Sequence, residues 1–483
     1  MYIQRFAMGI GLLLIPLVAN SSVLQVPVNY TTIQAAIDAA SDGDTILIAD
    51  GVYSGTGNIN MGWDATSKHL YIRSENGSDH CIIDCKEEGR GFLLNQGQDR
   101  RDVIEGLTIT NGMVVGAGGA INIFAASPTI RNCKFINNTA SGYHDNSYSG
   151  CGGALMVYNN SAPHIRDNSV RDNVASNLGG GILFAEYASG LLENNVIDGN
   201  KALDDWGGGI ALWNNSDPLI INNLIIYNSC SGFNGGRGGG IYLDHSDTKI
   251  VNNTIAFNYT SGDEYGEGFG GGICIGRWAA PVIKNCIIWH NRSGASSMNI
   301  YVDPKEWLDI SYCNVEEDLG HIFDLKPHTN IDSIPGFKDP ENGNFQLDWD
   351  SPCINRGDPD TTGMHLPDFD LTGNERIFDG RVDIGAYEFN RTLDNSHILM
   401  GSDFMLYPNP GSGFFFLENR TEALPYNHLV RIYNVWGKLV LEKRTDADES
   451  AISIDISRQP DGVYLLSVLS EGRHLYRQKI IKH

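Results

Sequence analysis

Four side chains able to move protons or pair charge, Glu186, Asp244, His245 and Arg277, fall at matching points of segments that repeat along the chain. Imidazole takes up and returns protons, a carboxylate acts as base or cation ligand, and a guanidinium neutralises an anionic group. Tyr158, Trp213 and Tyr242 stand in the same segments. Aromatic faces stack on sugar rings, and flanking polar groups bond hydroxyls. Asp204 and Asp205 offer another carboxylate pair, but they precede Trp206-Gly207 in a turn, where adjacent acids ordinarily serve solvation. A cation loop is suggested by "DFDLTGNERIFD". Asp368, Asp370 and Asp379 fall at positions 1, 3 and 12 with Gly373 at 6, a calcium-loop spacing, although no helices flank it. A polar turn is the plainer account of that stretch. No other cofactor is implied.

These residues act together only if the chain stacks its repeats. "GGALMVYNNSAPHIRDNSVRDN" is followed by "GGILFAEYASGLLENNVIDGN" and "GGGIALWNNSDPLIINNLIIYN". Closing asparagines Asn111, Asn138, Asn173, Asn200, Asn228, Asn258 and Asn291 recur every 27 to 35 residues. No window carries the 3.6-residue apolar period of paired helices. Alternation instead turns Ile121/Ile123, Leu155/Val157, Ile182/Phe184, Ile210/Leu212, Ile241/Leu243 and Ile273/Ile275 inward. Ile220 and Ile225 are both inward yet five apart, so one residue at Asn222-Asn223 leaves the β conformation, and asparagine tolerates the left-handed region. Glycine pairs make the sharper corner before the first strand.

The result is a parallel β-coil with turns about 4.8 Å apart and like residues in ladders. Cys133, Cys286 and Cys313 take an asparagine rung and read as buried thiols; no CxxC spacing suggests zinc. Outward columns read Phe124, Tyr158, Ala185, Trp213, Asp244, Gly276 and Ala125, Asn159, Glu186, Asn214, His245, Arg277. This places the candidate residues on one face, with Asp263, Glu264 and Glu267 in loops at its edge. The alternative is a solvated outer face with scattered aromatics.

Residues 1–21, with Arg5 and the apolar run Phe6–Ala19, read as a secretory signal; no later segment is apolar enough for a membrane helix. With 34 basic and 58 acidic residues the net charge is −24, which disfavours nucleic acid and anionic lipid. Ile33, Ala36, Ile37 and Ala40 form one helical face, N-capped by Thr31 or Thr32, that covers the first turn. The stretch from Pro335 to Phe389 loses the repeat, as a cap on the far end does. Residues 391–403 are a polar linker, and residues 404–483 hold antiparallel strands suited to a small β-sandwich.

"GGAI" at 118–121 and "FINN" at 135–138 resemble the repeats of chlamydial polymorphic membrane proteins and of right-handed parallel β-helix proteins in the pectate-lyase-like group. "YTTIQAAIDAASDGDTILIADGVYSG" is similar to that group's N-terminal cap, and "SPCINRGDPD" and "DLTGNERIFDGRVDIGAYEF" to its C-terminal ending. The resemblance covers about 28–390. It implies an all-β fold, a right-handed parallel β-helix solenoid over 22–390 with an N-terminal helical cap, and is specific for fold rather than activity. Fold relatives cleave polysaccharides. The Gly-His-Gly of the β-helix polygalacturonases is absent, and no acid–base pair is forced together by the register. Lyases of this fold use clustered carboxylates for calcium with a Lys or Arg base.

"YPNP" at 407–410, "NVWGKLV" at 434–440, "PDGVYLL" at 460–466 and "KIIK" at 479–482 closely resemble the C-terminal sorting domain of the type IX secretion system. That implies passage through the type IX machinery of a Gram-negative bacterium and a secreted or outer-membrane surface-attached product. The favoured expectation is a β-helix that presents a long face to a polysaccharide or another surface ligand. The alternatives are an extracellular polysaccharide lyase or glycoside hydrolase, and a simple spacer.

Overall fold

Between Phe92 and Ser293 the chain repeats one theme, four short strands per turn, and a last turn to Val315 adds three among the described residues; each strand pairs in parallel with its counterpart on the adjoining turns. The computed structural model describes residues 21–143, 148–232, 235–262, 268–294, 298–316, 329–377, 380–389, 404–419, 429–435, 438–444, 451–470 and 473–483. The expected signal up to residue 20, the linker 391–403 and the loop acids Asp263, Glu264 and Glu267 lie outside them. Among the described residues the strands form parallel sheets of 11, 8, 10 and 7 members.

The 8-stranded sheet follows the glycine pairs, with Ile121 against Leu155, Leu155 against Ile182 and Ile182 against Ile210. Its inward residues, from Ile121 to Ile275, are fully buried in one continuous core. The first glycine of a pair takes a left-handed φ, as at Gly152 (65°), and the second lies where a Cβ on Gly153 would sit 2.1 Å from the carbonyl of Gly180. Only glycine turns this corner between stacked turns.

The 11- and 10-stranded sheets meet at the asparagine corner. Asn222 has φ 57°, with Asn194 and Asn252 alike on the adjoining turns, which is the single left-handed residue that the odd spacing requires. The next residue points inward and forms a ladder. A second ladder runs Asn138, Asn173, Asn200, Asn228, Asn258, Asn291, Asn299; each Oδ1 accepts the backbone N–H of the residue before at 2.9–3.0 Å. Each Nδ2 donates onward to the next Oδ1 and back to a strand carbonyl, so the buried amides are paired, as Asn200 shows with Asn228 and Val170. Asn111 is not a rung: it holds the left-handed corner (φ 54°), and Gly112 fills the rung and donates to Asn138. Cys286 and Cys313 do fill rungs, accepting from the N–H groups of Asn253 and Cys286 at 3.4 and 3.3 Å. The nine cysteines form no disulfide and all are buried.

At the N-terminal end, the helix Ile33–Ala39 buries Ile33, Ala36 and Ile37, and Thr32 Oγ1 caps it by accepting from Ala35 N–H at 3.2 Å. The far end departs from expectation. Residues 329–354 do close the last turn, with Ile331 bridging Asn314 and Cys353 beside Asn314. From there the chain doubles back along the flank as a strap. Asp358 N–H bonds Asn285, the Asp383 carbonyl accepts from Asn252, and Arg376 Nη1 donates to Asn222 at 2.8 Å, each one turn further back. The cause is apolar residues on the outer faces of these turns. Leu224, Ile226 and Ala256 pack with Ala386 and Tyr387, while Ile221 and Val251 pack with Met364.

The second unit, from Arg391 onward, has a core of its own. A three-stranded antiparallel sheet (Phe404–Tyr407, Phe414–Asn419, Ala451–Asp455) and a four-stranded one (Leu429–Asn434, Leu439–Arg444, Gly462–Ser470, Arg473–Lys482) share a core that includes Leu406, Phe415, Ile432, Ile454, Leu466 and Ile480.

Candidate functional site

The outward face that should carry the site is a second hydrophobic layer. Loops fold over it and bury Met156, Leu183 and Ala211, with Tyr158 and Trp213 partly covered. Tyr242 is 2% exposed, beneath the Trp206 ring at 4.9 Å. Arg237 joins the layer, over Trp206 and Phe269 and paired with Asp303 at 3.1 Å. Tyr158 packs on Phe124 at 4.9 Å. The expected groove of Tyr158, Trp213 and Tyr242 is therefore not an open one, because the apolar outward residues Met156, Leu183 and Ala211 on three consecutive turns demand cover. That signal was present in the sequence at positions 156, 183 and 211.

The charged candidates separate. Asp244 is 5% exposed and its Oδ2 holds His245 Nδ1 at 2.6 Å; the Tyr242 hydroxyl donates to its Oδ1 at 3.4 Å. Glu186 lies two turns away, roughly 10 Å along the axis. It stands beside Tyr148, whose hydroxyl is pushed up to about 12 by burial first and the Glu186 charge second. Arg277 does not face His245. The corner containing Arg277 is one residue longer than that of His245, so the side chain stacked on His245 is Trp278, with ring centroids 4.5 Å apart. No acid–base pair forms between Glu186, Asp244 and Arg277.

The calcium expectation meets a different arrangement. Asp370 is buried, and its carboxylate accepts the N–H groups of Thr372, Asn374 and Glu388 at 2.8 Å each. It organises its own loop. Asp368 is exposed, its carbonyl accepting from Arg376 N–H, and Asp379 lies outside the described residues. Elsewhere His69, Asp99 and Asp102 draw together, yet the Asp102 carboxylate accepts from Trp63 Nε1, Leu70 N–H and Asp99 N–H and braces a corner.

A surface column went unread in the sequence. At the bend from the 8- to the 11-stranded sheet, the residue four places before the next strand is left-handed on turn after turn: Asn160 (57°), Tyr187 (61°), Asn215 (59°), His245 (52°), Trp278 (49°) and Lys305 (85°). Tyr187 is 60% exposed and Trp278 67%, and Trp307 on the last of these turns is 57% exposed. Asn160 N–H donates to the Glu186 carbonyl at 2.9 Å, Tyr187 N–H to Asn214 at 3.1 Å and His245 N–H to Arg277 at 2.7 Å, so ladder bonds hold the backbone of the column. Strict alternation misassigns it, because bends of different length break the period.

Comparison with known families fits this geometry. Residues 144–305 match the family described as right handed beta helix region, which spans the column from Asn160 to Lys305. Residues 405–483 match the secretion system C-terminal sorting domain. The chain is a right-handed β-helix with a secretion sorting domain. No curated protein matches it. The sorting-domain motifs that lie far apart in sequence meet in space. Asn409 of "YPNP" donates to the Lys479 carbonyl at 2.6 Å and accepts from Ile481 N–H at 2.9 Å, and Lys482 reaches Asp461 at 2.5 Å. The β-helix is thus the secreted or cell-surface cargo of a type IX sorting tail. No helix among the described residues is long and apolar enough to cross a membrane.

Proposed function

We propose that this exported β-helix binds carbohydrate at the cell surface through the left-handed corner column. The observation that carries the reading is the pair Tyr187 and Trp278, large aromatic faces left in water, with ladder bonds from Tyr187 N–H and to the carbonyl of Arg277 beside Trp278. Trp206, Trp213 and Tyr242 on the neighbouring sheet face pack into a covered layer, whereas these two rings pack into no apolar cluster of the β-helix. Asn215 and His245 between them supply hydrogen bonds for hydroxyls.

The test is retention of the full-length protein on a panel of insoluble and immobilised polysaccharides. At least one should retain it, and Trp278→Ala should weaken retention about tenfold or more with unchanged circular dichroism. A chain that no polysaccharide retains, or whose retention ignores Trp278→Ala, removes the reading.

A second reading, turnover, is favoured by one observation only: a buried Asp244 orients the half-buried His245 as a base is oriented. Release of unsaturated or reducing ends from a bound polysaccharide, lost in His245→Ala and kept in Glu186→Gln, would establish it.

A further inference from the structure

The corner column has a period, and the period names a ligand. Its residues advance one turn at a time, about 4.8 Å per step. We infer that the column takes a linear, neutral, β-1,4-linked polysaccharide lying parallel to the solenoid axis, one sugar ring to each turn. This rests on the carbohydrate-binding reading above and specifies its ligand.

Three features carry it. First, an extended β-1,4-linked pyranose chain advances per ring by a distance close to one strand spacing, so successive rings stay in step with successive turns. An α-1,4-linked chain curls and loses step after a ring or two. Second, Tyr187 and Trp278 are three turns apart, about 14 Å along the axis. They therefore serve rings one and four of a bound stretch. Asn215 and His245 fall at rings two and three, where an amide and an imidazole meet hydroxyls. The Nδ1 of His245 is held by Asp244 at 2.6 Å and its ring is backed by Trp278 at 4.5 Å, so its orientation is set before the ligand arrives. Third, charge selects against polyanions. The whole chain carries −24. Beside the column Asp217 and Asp247 stack on consecutive turns, Asp247 N–H bonding the Asp217 carboxylate at 2.7 Å, and both are exposed. With Glu186 and Glu306 they outnumber the nearby cations Lys249, Arg277 and Lys305, so a polyuronate meets net repulsion.

Titration calorimetry on the full-length protein tests this with β-1,4-linked gluco-, xylo- and manno-oligosaccharides of two to six rings, malto-oligosaccharides of equal length, and oligogalacturonates. In at least one β-1,4 series, affinity should rise tenfold or more between two and four rings and level off by about six. Maltotetraose and tetragalacturonate should bind at least tenfold more weakly than the preferred tetramer. Tyr187→Ala or Trp278→Ala should each remove most of the gain from two to four rings while affecting the disaccharide little. If binding depends on Trp278 but is equal for dimer and hexamer, or favours the malto or uronate series, the inference fails and the carbohydrate reading stands. If nothing binds, or if binding is indifferent to both substitutions in a folded protein, both fail.

Discussion

Arg376 is the largest fully buried side chain of the β-helix unit, 2% exposed, and it pins the strap to the coil through Asn222 and the carbonyls of Gly385 and Asp383. Its Nη2 lies 3.2 Å from Glu388, yet two further carboxylates, Asp383 and Asp370, share the site. Burial first, opposed by Arg376 and then reinforced by Asp383 and Asp370, pushes the Glu388 carboxyl up to about 8. Burial likewise pushes Asp383 up to about 6. A carboxyl raised in the fold keeps a proton that the unfolded chain releases. Its contribution is fully present below the ordinary value of 4.5 and is lost as pH rises toward about 8. Glu388→Gln should therefore flatten the fall in unfolding free energy between pH 5 and 8, a relative gain at pH 7 on the order of 2 kcal/mol. Urea melts across that range would show it; parallel pH curves for the two proteins would refute it.

At the scale of the element, the asparagine ladder makes each turn depend on its neighbours. Asn200 links Asn173, Val170 and Asn228 with buried hydrogen bonds of 2.9–3.0 Å. Removing its amide in Asn200→Ala orphans several buried groups, and the urea midpoint should fall by the equivalent of about 3 kcal/mol or more. The cysteine rungs behave otherwise. Burial pushes the Cys133 thiol up to about 12, so it is a poor nucleophile and metal ligand. Cys286 Sγ accepts from Asn253 N–H at 3.4 Å and donates to the carbonyls of Lys284 and Ile250 at 3.2 and 3.5 Å, all weaker bonds than an amide would make. Cys286→Asn restores the common rung and should be neutral or stabilising by up to about 1 kcal/mol. A loss above about 2 kcal/mol in the same melts would mean that the rungs are not interchangeable.

At the scale of the molecule, the β-helix and the sorting domain have separate hydrophobic cores, and no residue of one cluster belongs to the other. A chain ending at Asn390 keeps the strap and its anchor residues. It should retain the circular dichroism and thermal midpoint of the β-helix while losing export to the surface or medium. Fractionation of producing cells decides the second half, and a truncated chain still found outside them would separate the tail from secretion.

Spacing and residue type by themselves determined the coil, because a one-residue left-handed corner is compulsory between Ile220 and Ile225 and glycine alone fits against the next turn. They determined the capping helix, the rungs held by Cys286 and Cys313, and the sorting motifs. The sequence could not say which outward residues meet water. Whether Tyr242 is a platform or a core side chain depends on loops that close over it from other turns, and Tyr187 is exposed only because nothing does. The register that sets Trp278 rather than Arg277 on His245 rests on one extra residue in a bend. The strap over Asn222, Asn252 and Asn285 comes from residues up to 154 positions away. Local periodicity fixes how a backbone turns; burial is a property of what else arrives at the same place, and only the folded chain decides that.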